Sequence, residues 1–295
     1  MRLSMTTPSR KVSAPTLSAK LDAEGAVRHI QTQARYFFEP AEFASLQGRD
    51  PDSPGVKKAL VRLSQQGRIV LATKRPAGWL IVPPEHEHYG APPVDWWLDD
   101  CLQRLEPDYY VALLSAARHW GSGHYALQTT QVMLSRPRPT LTAGRLRVDF
   151  FSKTNLKATP IVVERGGVAS WRVSTREATL LDLVRHQSVI GGIEAVARVA
   201  RDFSGALQGD ALILAMDALN QVPAAQRLGF VLDRLALAKP AARVMRWLRE
   251  HSGKRLTPQP LEPHYQAADG EGVEMDRDWG IRYSLRQLAT LEAVK

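Results

Sequence analysis

Tyr36–Val82 reads YFFEPAEFASLQGRDPDSPGVKKALVRLSQQGRIVLATKRPAGWLIV, and its punctuation decides the first module. Pro40 opens a short helix through Ala41, Phe43, Ala44 and Leu46, because a proline at the first helical position sacrifices no hydrogen bond. Gly48 to Asp52 breaks that helix. Ser53 is placed to cap a second helix, with Pro54 at its first position. Val56, Ala59, Leu60 and Leu63 recur at i, i+3, i+4 and i+7 and make one apolar face. Lys57, Lys58, Val61, Arg62 and Gln65 take the opposite face, and Gly67 ends the helix. Two apolar runs follow, Ile69–Leu71 and Trp79–Val82, joined by a turn that holds Lys74 and Arg75. Helix, turn, helix and hairpin in this order describe a winged helix-turn-helix, a shape that lays its second helix in the major groove of DNA.

The basic residues fall at both places that would meet phosphates, the outer face of the second helix and the wing tip. Ser53, Lys57, Lys58, Arg62, Gln65, Lys74 and Arg75 are therefore the expected contacts to double-stranded DNA. Either cluster alone would be ordinary, since a basic outer helix face is usually a solvated one.

Outward from this module, Leu17 to Tyr36 reads as a supporting helix, with Leu21, Ala26, Val27 and Ile30 on its apolar side. Residues 1–16 are rich in Ser, Thr and Pro, carry Arg2, Arg10 and Lys11, and lack an apolar core of signal-peptide length, so they read as a disordered tail. Residues 85–94, with Gly90, Pro92 and Pro93, read as a stiff polar linker. The expected domains are thus a tail at 1–16, the winged domain at 17–84, the linker, and a second domain at 95–295. His86 and His88 stand two apart in the linker without evident further ligands, so no metal site is expected there.

The net charge of +9 and pI of about 9.8 are unevenly spread. Residues 1–90 hold 13 Lys+Arg against 8 Asp+Glu, a net of +5, so the first third carries over half the excess. That suits a nucleic-acid-binding front end, although an anionic membrane surface or an acidic protein would also match it. No run of 18 apolar residues exists, so no membrane span is expected. Cys101 is the only cysteine, which rules out an intrachain disulfide and a multi-cysteine metal site and suits a reducing cytoplasm. Flanked by Trp97, Leu98, Leu102 and Leu105, it reads as a small core residue.

In the second domain, Asp95–Leu105 looks helical, and Asp108 is placed to cap a helix through Tyr110, Leu113, Leu114 and Ala117 that ends at Gly121. Strands are expected at Gln128–Leu134, Leu146–Phe151, Pro160–Glu164 and Val168–Val173, with turns at Thr142–Gly144 and Arg165–Gly167. Ser174-Thr175-Arg176-Glu177 has the form of a capping box opening a helix over Ala178–Val184. Further helices are expected at Ile193–Phe203, Ala206–Leu219, Pro223–Leu237 and Ala241–Glu250, then an extended Pro258–Pro263 and a last strand at Trp279–Leu285. The fold class is α+β, the winged module followed by helices around a small, mostly antiparallel sheet.

Signals for catalysis are poor. There is no G-x-G-x-x-G, no Walker A run, no H-E-x-x-H and no G-x-S-x-G. Gly121-Ser122 faintly matches the opening of a nucleotidyltransferase site, but no Asp or Glu lies between Ser122 and Thr142 to hold Mg²⁺, and Asp149 stands alone. Glu177 is accounted for by the capping box. Asp182, flanked by leucines, is placed to bond a nearby backbone group or Arg185, or to serve as a buried acid. No catalytic residue, metal or cofactor is expected. Arg136, Arg138, Arg145 and Arg147, followed by Lys153 and Lys157, form a second basic patch suited to phosphates or an acidic protein, and solubilising charge accounts for it equally well. Tyr109, Tyr110 and Trp120 read as packing residues.

Three stretches resemble one family: Tyr109–Ala117 with His119-Trp120-Gly121, Val173–Val184 with Gly191-Gly192-Ile193, and Gln226–Leu232. Together with the N-terminal module they resemble AbiEi-type antitoxins of type IV toxin–antitoxin (abortive infection) systems, over roughly residues 20 to 285. The resemblance implies phage defence, a winged domain that binds repeats in the operon's own promoter and represses it, and a C-terminal domain that counteracts a nucleotidyltransferase-like toxin without a stable complex. It transfers no catalytic residues. Two alternatives stay open: an enzyme that covalently modifies the toxin, and a transcription regulator with a sensory C-terminal domain.

Overall fold

The computed structural model describes residues 20–123, 129–252, 256–266 and 271–295. The expected tail, the first three residues of the expected first helix and Gln128 lie outside the described residues. In the N-terminal unit, α1 (Ala23–Thr32) is capped by Asp22, whose carboxylate accepts the Gly25 N–H at 2.7 Å. The helix is shorter than Leu17–Tyr36 because Gln33 N–H closes back on Ile30 and Ala34 turns left-handed, at φ 55°. Then come β1 (Phe37–Phe38), α2 (Pro40–Leu46), α3 (Pro54–Gln65), β2 (Ile69–Lys74) and β3 (Ala77–Ile81). The strands form an antiparallel sheet in the order β1-β3-β2. β1 was not expected, since two aromatic residues carry no strand periodicity; Phe37 and Phe38 earn their conformation by pairing with Leu80 and Trp79. Val56, Leu60 and Leu63 of α3 pack with Val27, Ile30, Phe38, Phe43, Ile69 and Ile81 in one core. Burial of each Leu contributes about 2 kcal/mol, so the inner face of α3 is firmly held and its outer face is left free.

The rest of the chain is built on a six-stranded mixed sheet. Its strands are β4 (Tyr109–Val111), β5 (Thr129–Leu134), β6 (Leu141–Ala143), β7 (Leu146–Ser152), β8 (Ile161–Arg165) and β9 (Ser170–Ser174), in the order β6-β7-β5-β4-β9-β8. The β5–β7 and β4–β9 pairs are parallel and the other three antiparallel. Tyr109–Val111 is therefore a strand, not the start of a helix: it is paired on both edges, and the helix that follows, α5 (Leu113–His119), begins only after it. Successive side chains of β4 point to opposite faces. Tyr110 faces a helical layer of α6 (Arg176–Arg185), α7 (Gln187–Ile190), α8 (Gly192–Phe203), α9 (Gly209–Leu219), α10 (Val222–Arg234) and α11 (Ala238–His251). Tyr109 and Val111 face α4 (Leu98–Leu105) and the N-terminal unit.

The expected capping box at Ser174–Glu177 does not form. Ser174 belongs to β9, Thr175 caps α6 by accepting the Ala178 N–H, and Glu177 instead accepts the Gln208 N–H at 2.9 Å. The box lies at Ser284 and Gln287, opening α12 (Leu285–Ala293). A small sheet in the order β10-β12-β11, from β10 (Gln259–Pro260), β11 (Val273–Asp276) and β12 (Ile281–Ser284), precedes that helix.

Residues 85–94, read as a linker, are packed. They hold a 3-10 turn at Pro84–His86, and a second follows at Val94–Trp96. The β6–β7 turn seats on them: Arg145 N–H donates to the Tyr89 carbonyl at 2.8 Å. Gly144 there has φ 55°, and a Cβ would come within 2.3 Å of the Tyr89 carbonyl oxygen, so only glycine fits. Phe37 and Leu80 of the N-terminal unit share one core with Ala91, Trp97, Leu141 and Ala143. Tyr36 packs on Trp96 at 4.8 Å, and Arg104–Glu39 and Arg35–Asp100 ion pairs rim the joint. No helix among the described residues is long and apolar enough to cross a membrane.

Candidate nucleic-acid interface

Lys57, Lys58, Val61, Arg62 and Gln65 of α3 are all exposed on the side away from the core. Lys57 lies 3.3 Å from Asp52, a pair so open to water that it contributes little and is easily exchanged for a phosphate. The side chains of Lys58, Arg62 and Gln65 have no hydrogen-bond or ion-pair partner among the described residues. Ser53 stands at the N-cap position, but its hydroxyl donates to the Asp50 carbonyl at 2.6 Å and does not cap the helix. The start of α3 rests instead on Pro54 and on the Asp50 turn, where Asp52 N–H bonds the Asp50 carboxylate at 2.7 Å.

Lys74 pairs with Ala77, which leaves Arg75 and Pro76 as the hairpin tip, and both basic side chains are exposed. The Thr73 hydroxyl donates to the Pro76 carbonyl at 2.7 Å and stiffens that tip. A hollow of about 690 Å³ opens beside α3, lined by Lys20, Gly48, Arg49, Gly55, Lys58 and Arg62 among others. Lys20 and Arg49 thus join the basic surface, although the sequence pattern missed them. Arg49 lies in the α2–α3 break, where periodicity gives no signal, and Lys20, inside the expected Leu17–Tyr36 helix, falls ahead of α1, which starts only at Ala23.

The second basic patch does not converge on one spot. The register sets Thr129 beside Arg147 and Leu134 beside Ser152. Arg145 and Arg147 therefore stand at one end of β5 and Arg136 and Arg138 leave the other, roughly 17 Å away along the strand. Arg147 is bonded to Asp149 at 2.9 Å. Slight burial pushes the Asp149 carboxyl up, but hydrogen bonds from Arg147 and Thr140 outweigh it and hold it below its usual range. Lys157 pairs with Asp108 at 3.0 Å. Lys153, read as part of the patch, is 3% exposed and belongs to the interior.

There it meets Asp182, which is fully buried, at 3.0 Å, while the Tyr110 hydroxyl donates to the same carboxylate at 2.7 Å. Burial, and then the charge of Asp182, push the Tyr110 hydroxyl well above its ordinary value. Among the described residues the Asp182 carboxylate is thus held by Lys153 and Tyr110 rather than by the nearby backbone or Arg185, and at 0% exposed it is closed to solvent. The Ser122 hydroxyl is taken by Asp202. His86 lies edge-on to Trp96 at 5.2 Å, and no group of three or more His, Cys, Asp or Glu among the described residues is placed to hold a metal. Burial pushes the Cys101 thiol up to about 12, so it is inert packing.

The profile of the AbiEi antitoxin C-terminal domain matches residues 110–234, from β4 through α10. No curated protein matches the chain. Among solved structures, the RV2827C protein from Mycobacterium tuberculosis is similar, with a TM-score of 0.63 at 16% identity, over 92% of this chain and 94% of that one. At that identity the likeness concerns the fold alone.

Proposed function

We propose that this protein, whose residues 110–234 match the AbiEi antitoxin C-terminal domain, is the antitoxin of a type IV toxin–antitoxin pair and represses its own operon. The observation that carries the reading is the junction of that domain to an α2–α3–hairpin unit with free cations on α3 and at the hairpin tip. That order of elements is the one a winged helix-turn-helix uses, with the second helix in the major groove and the wing on the flanking backbone. In this reading α3 enters the promoter repeats through Lys57, Lys58, Arg62 and Gln65, with Ser53 at its mouth. Lys74 and Arg75 grip phosphates, and Lys20 and Arg49 add to them. Arg136, Arg138, Arg145 and Arg147 serve as accessory cations. The C-terminal domain counteracts a nucleotidyltransferase-like toxin in the cytoplasm without a lasting complex and without a cofactor.

A reporter driven by the protein's own promoter, in cells that also carry the neighbouring toxin gene, separates the two activities. Arg62→Ala with Lys74→Ala should release the reporter while leaving cells protected. Full repression by that double variant would contradict the assignment of the DNA surface, and toxicity despite intact protein would contradict independent neutralisation.

A further inference from the structure

We infer that Val61 reads a thymine methyl group in the major groove. The inference rests on the DNA-binding reading of α3 and names a base chemistry which that reading leaves open. Val61 is 53% exposed, yet it stands at the centre of the outward face of α3, one turn from Lys57 and one turn from Gln65. The helix already has its core stripe in Val56, Leu60 and Leu63, all buried, so folding makes no demand for an apolar side chain at this position. A β-branched residue is also a weaker helix former than the Lys or Gln beside it.

What the position offers is a fixed apolar knob among cations. In a helix the χ1 angle of valine is nearly locked, so its two methyl groups are presented in one place. The flanking cations reach phosphates and guanine acceptors, which carry no information about A·T pairs. Among major-groove edges only thymine projects a methyl group, and apolar side chains are what contact it. Lys58 and Arg62 thus supply attraction, and Val61 supplies discrimination for thymine.

The test titrates wild type and Val61→Ala against the duplex from immediately upstream of the gene. The duplex is made once with thymidine and once with deoxyuridine at every thymidine position, which removes the C5 methyl and keeps the pairing. Wild type should prefer the thymidine duplex by about fourfold for each methyl contacted, the worth of burying one such group. Val61→Ala should bind both duplexes alike, with the salt dependence of wild type, because no phosphate contact is lost. Equal binding of the two duplexes by wild type, or the same uracil penalty in both proteins, would overturn the assignment of Val61 and leave the DNA reading standing. No preference for the upstream duplex over a scrambled one would overturn the DNA reading itself.

Discussion

Lys153 and Asp182 lie 3% and 0% exposed in the interior of the segment that matches the AbiEi antitoxin profile, and removing one of them leaves the other as an uncompensated buried charge. Asp182→Asn should lower the unfolding free energy by about 3–5 kcal/mol in urea titration, and a loss near zero would show that the pair is not closed to water. Lys153→Met combined with Asp182→Leu should recover most of that loss, since two apolar groups need no partner. His186, four residues on, responds to acid. Burial lowers its pKa from the ordinary 6.5, so the folded chain binds fewer protons than the unfolded chain once the pH falls through that value. Stability therefore declines as the pH falls through 6.5, and His186→Gln should flatten that limb of the midpoint-versus-pH curve. At this scale Cys101 was legible, because its apolar neighbours are adjacent in sequence. The partners of Asp182 were not, since Lys153 and Tyr110 are 29 and 72 residues away and no local pattern links them.

Helices with a clean apolar stripe could be read directly. α3 and α8 stand within a residue of their expected bounds because their buried positions follow the i, i+3, i+4 rule. Tyr109–Val111 was misread because three residues are too few to show alternation, and a helix follows at once. The capping box was misplaced because Ser174 was already claimed by pairing with Ile161 and by a 2.7 Å hydrogen bond with the Thr179 hydroxyl. Gly229, in the middle of α10, marks another contact that the sequence hides: a Cβ there would lie 1.9 Å from the Trp279 ring. Alanine favours a helix by about 1 kcal/mol over glycine, but driving the ring back costs about 1–3 kcal/mol. Gly229→Ala should therefore lower the thermal midpoint, and a raised midpoint would contradict the close approach of Trp279 to α10.

Across the whole molecule, the N-terminal unit and the six-stranded sheet share a core through Phe37, Leu80, Trp97 and Leu141, so α3 and the hairpin tip are carried on a fixed platform. Composition already pointed the basic excess toward the first third of the chain. What the sequence could not supply was this joint, because residues 85–94 look like a spacer until the β6–β7 turn is seen seated on them. If the outward face of α3 and the hairpin tip both meet phosphates, Lys74→Ala should weaken specific and nonspecific DNA alike and reduce the slope of log K against log salt by about 0.9. An unchanged slope would remove the hairpin tip from the interface. The central claim is tested most directly by an anisotropy titration of the protein with the duplex from immediately upstream of its gene, against a scrambled duplex, at two salt concentrations. The account predicts a preference for the upstream duplex that survives the higher salt. Equal binding to both duplexes that vanishes as salt rises would contradict it.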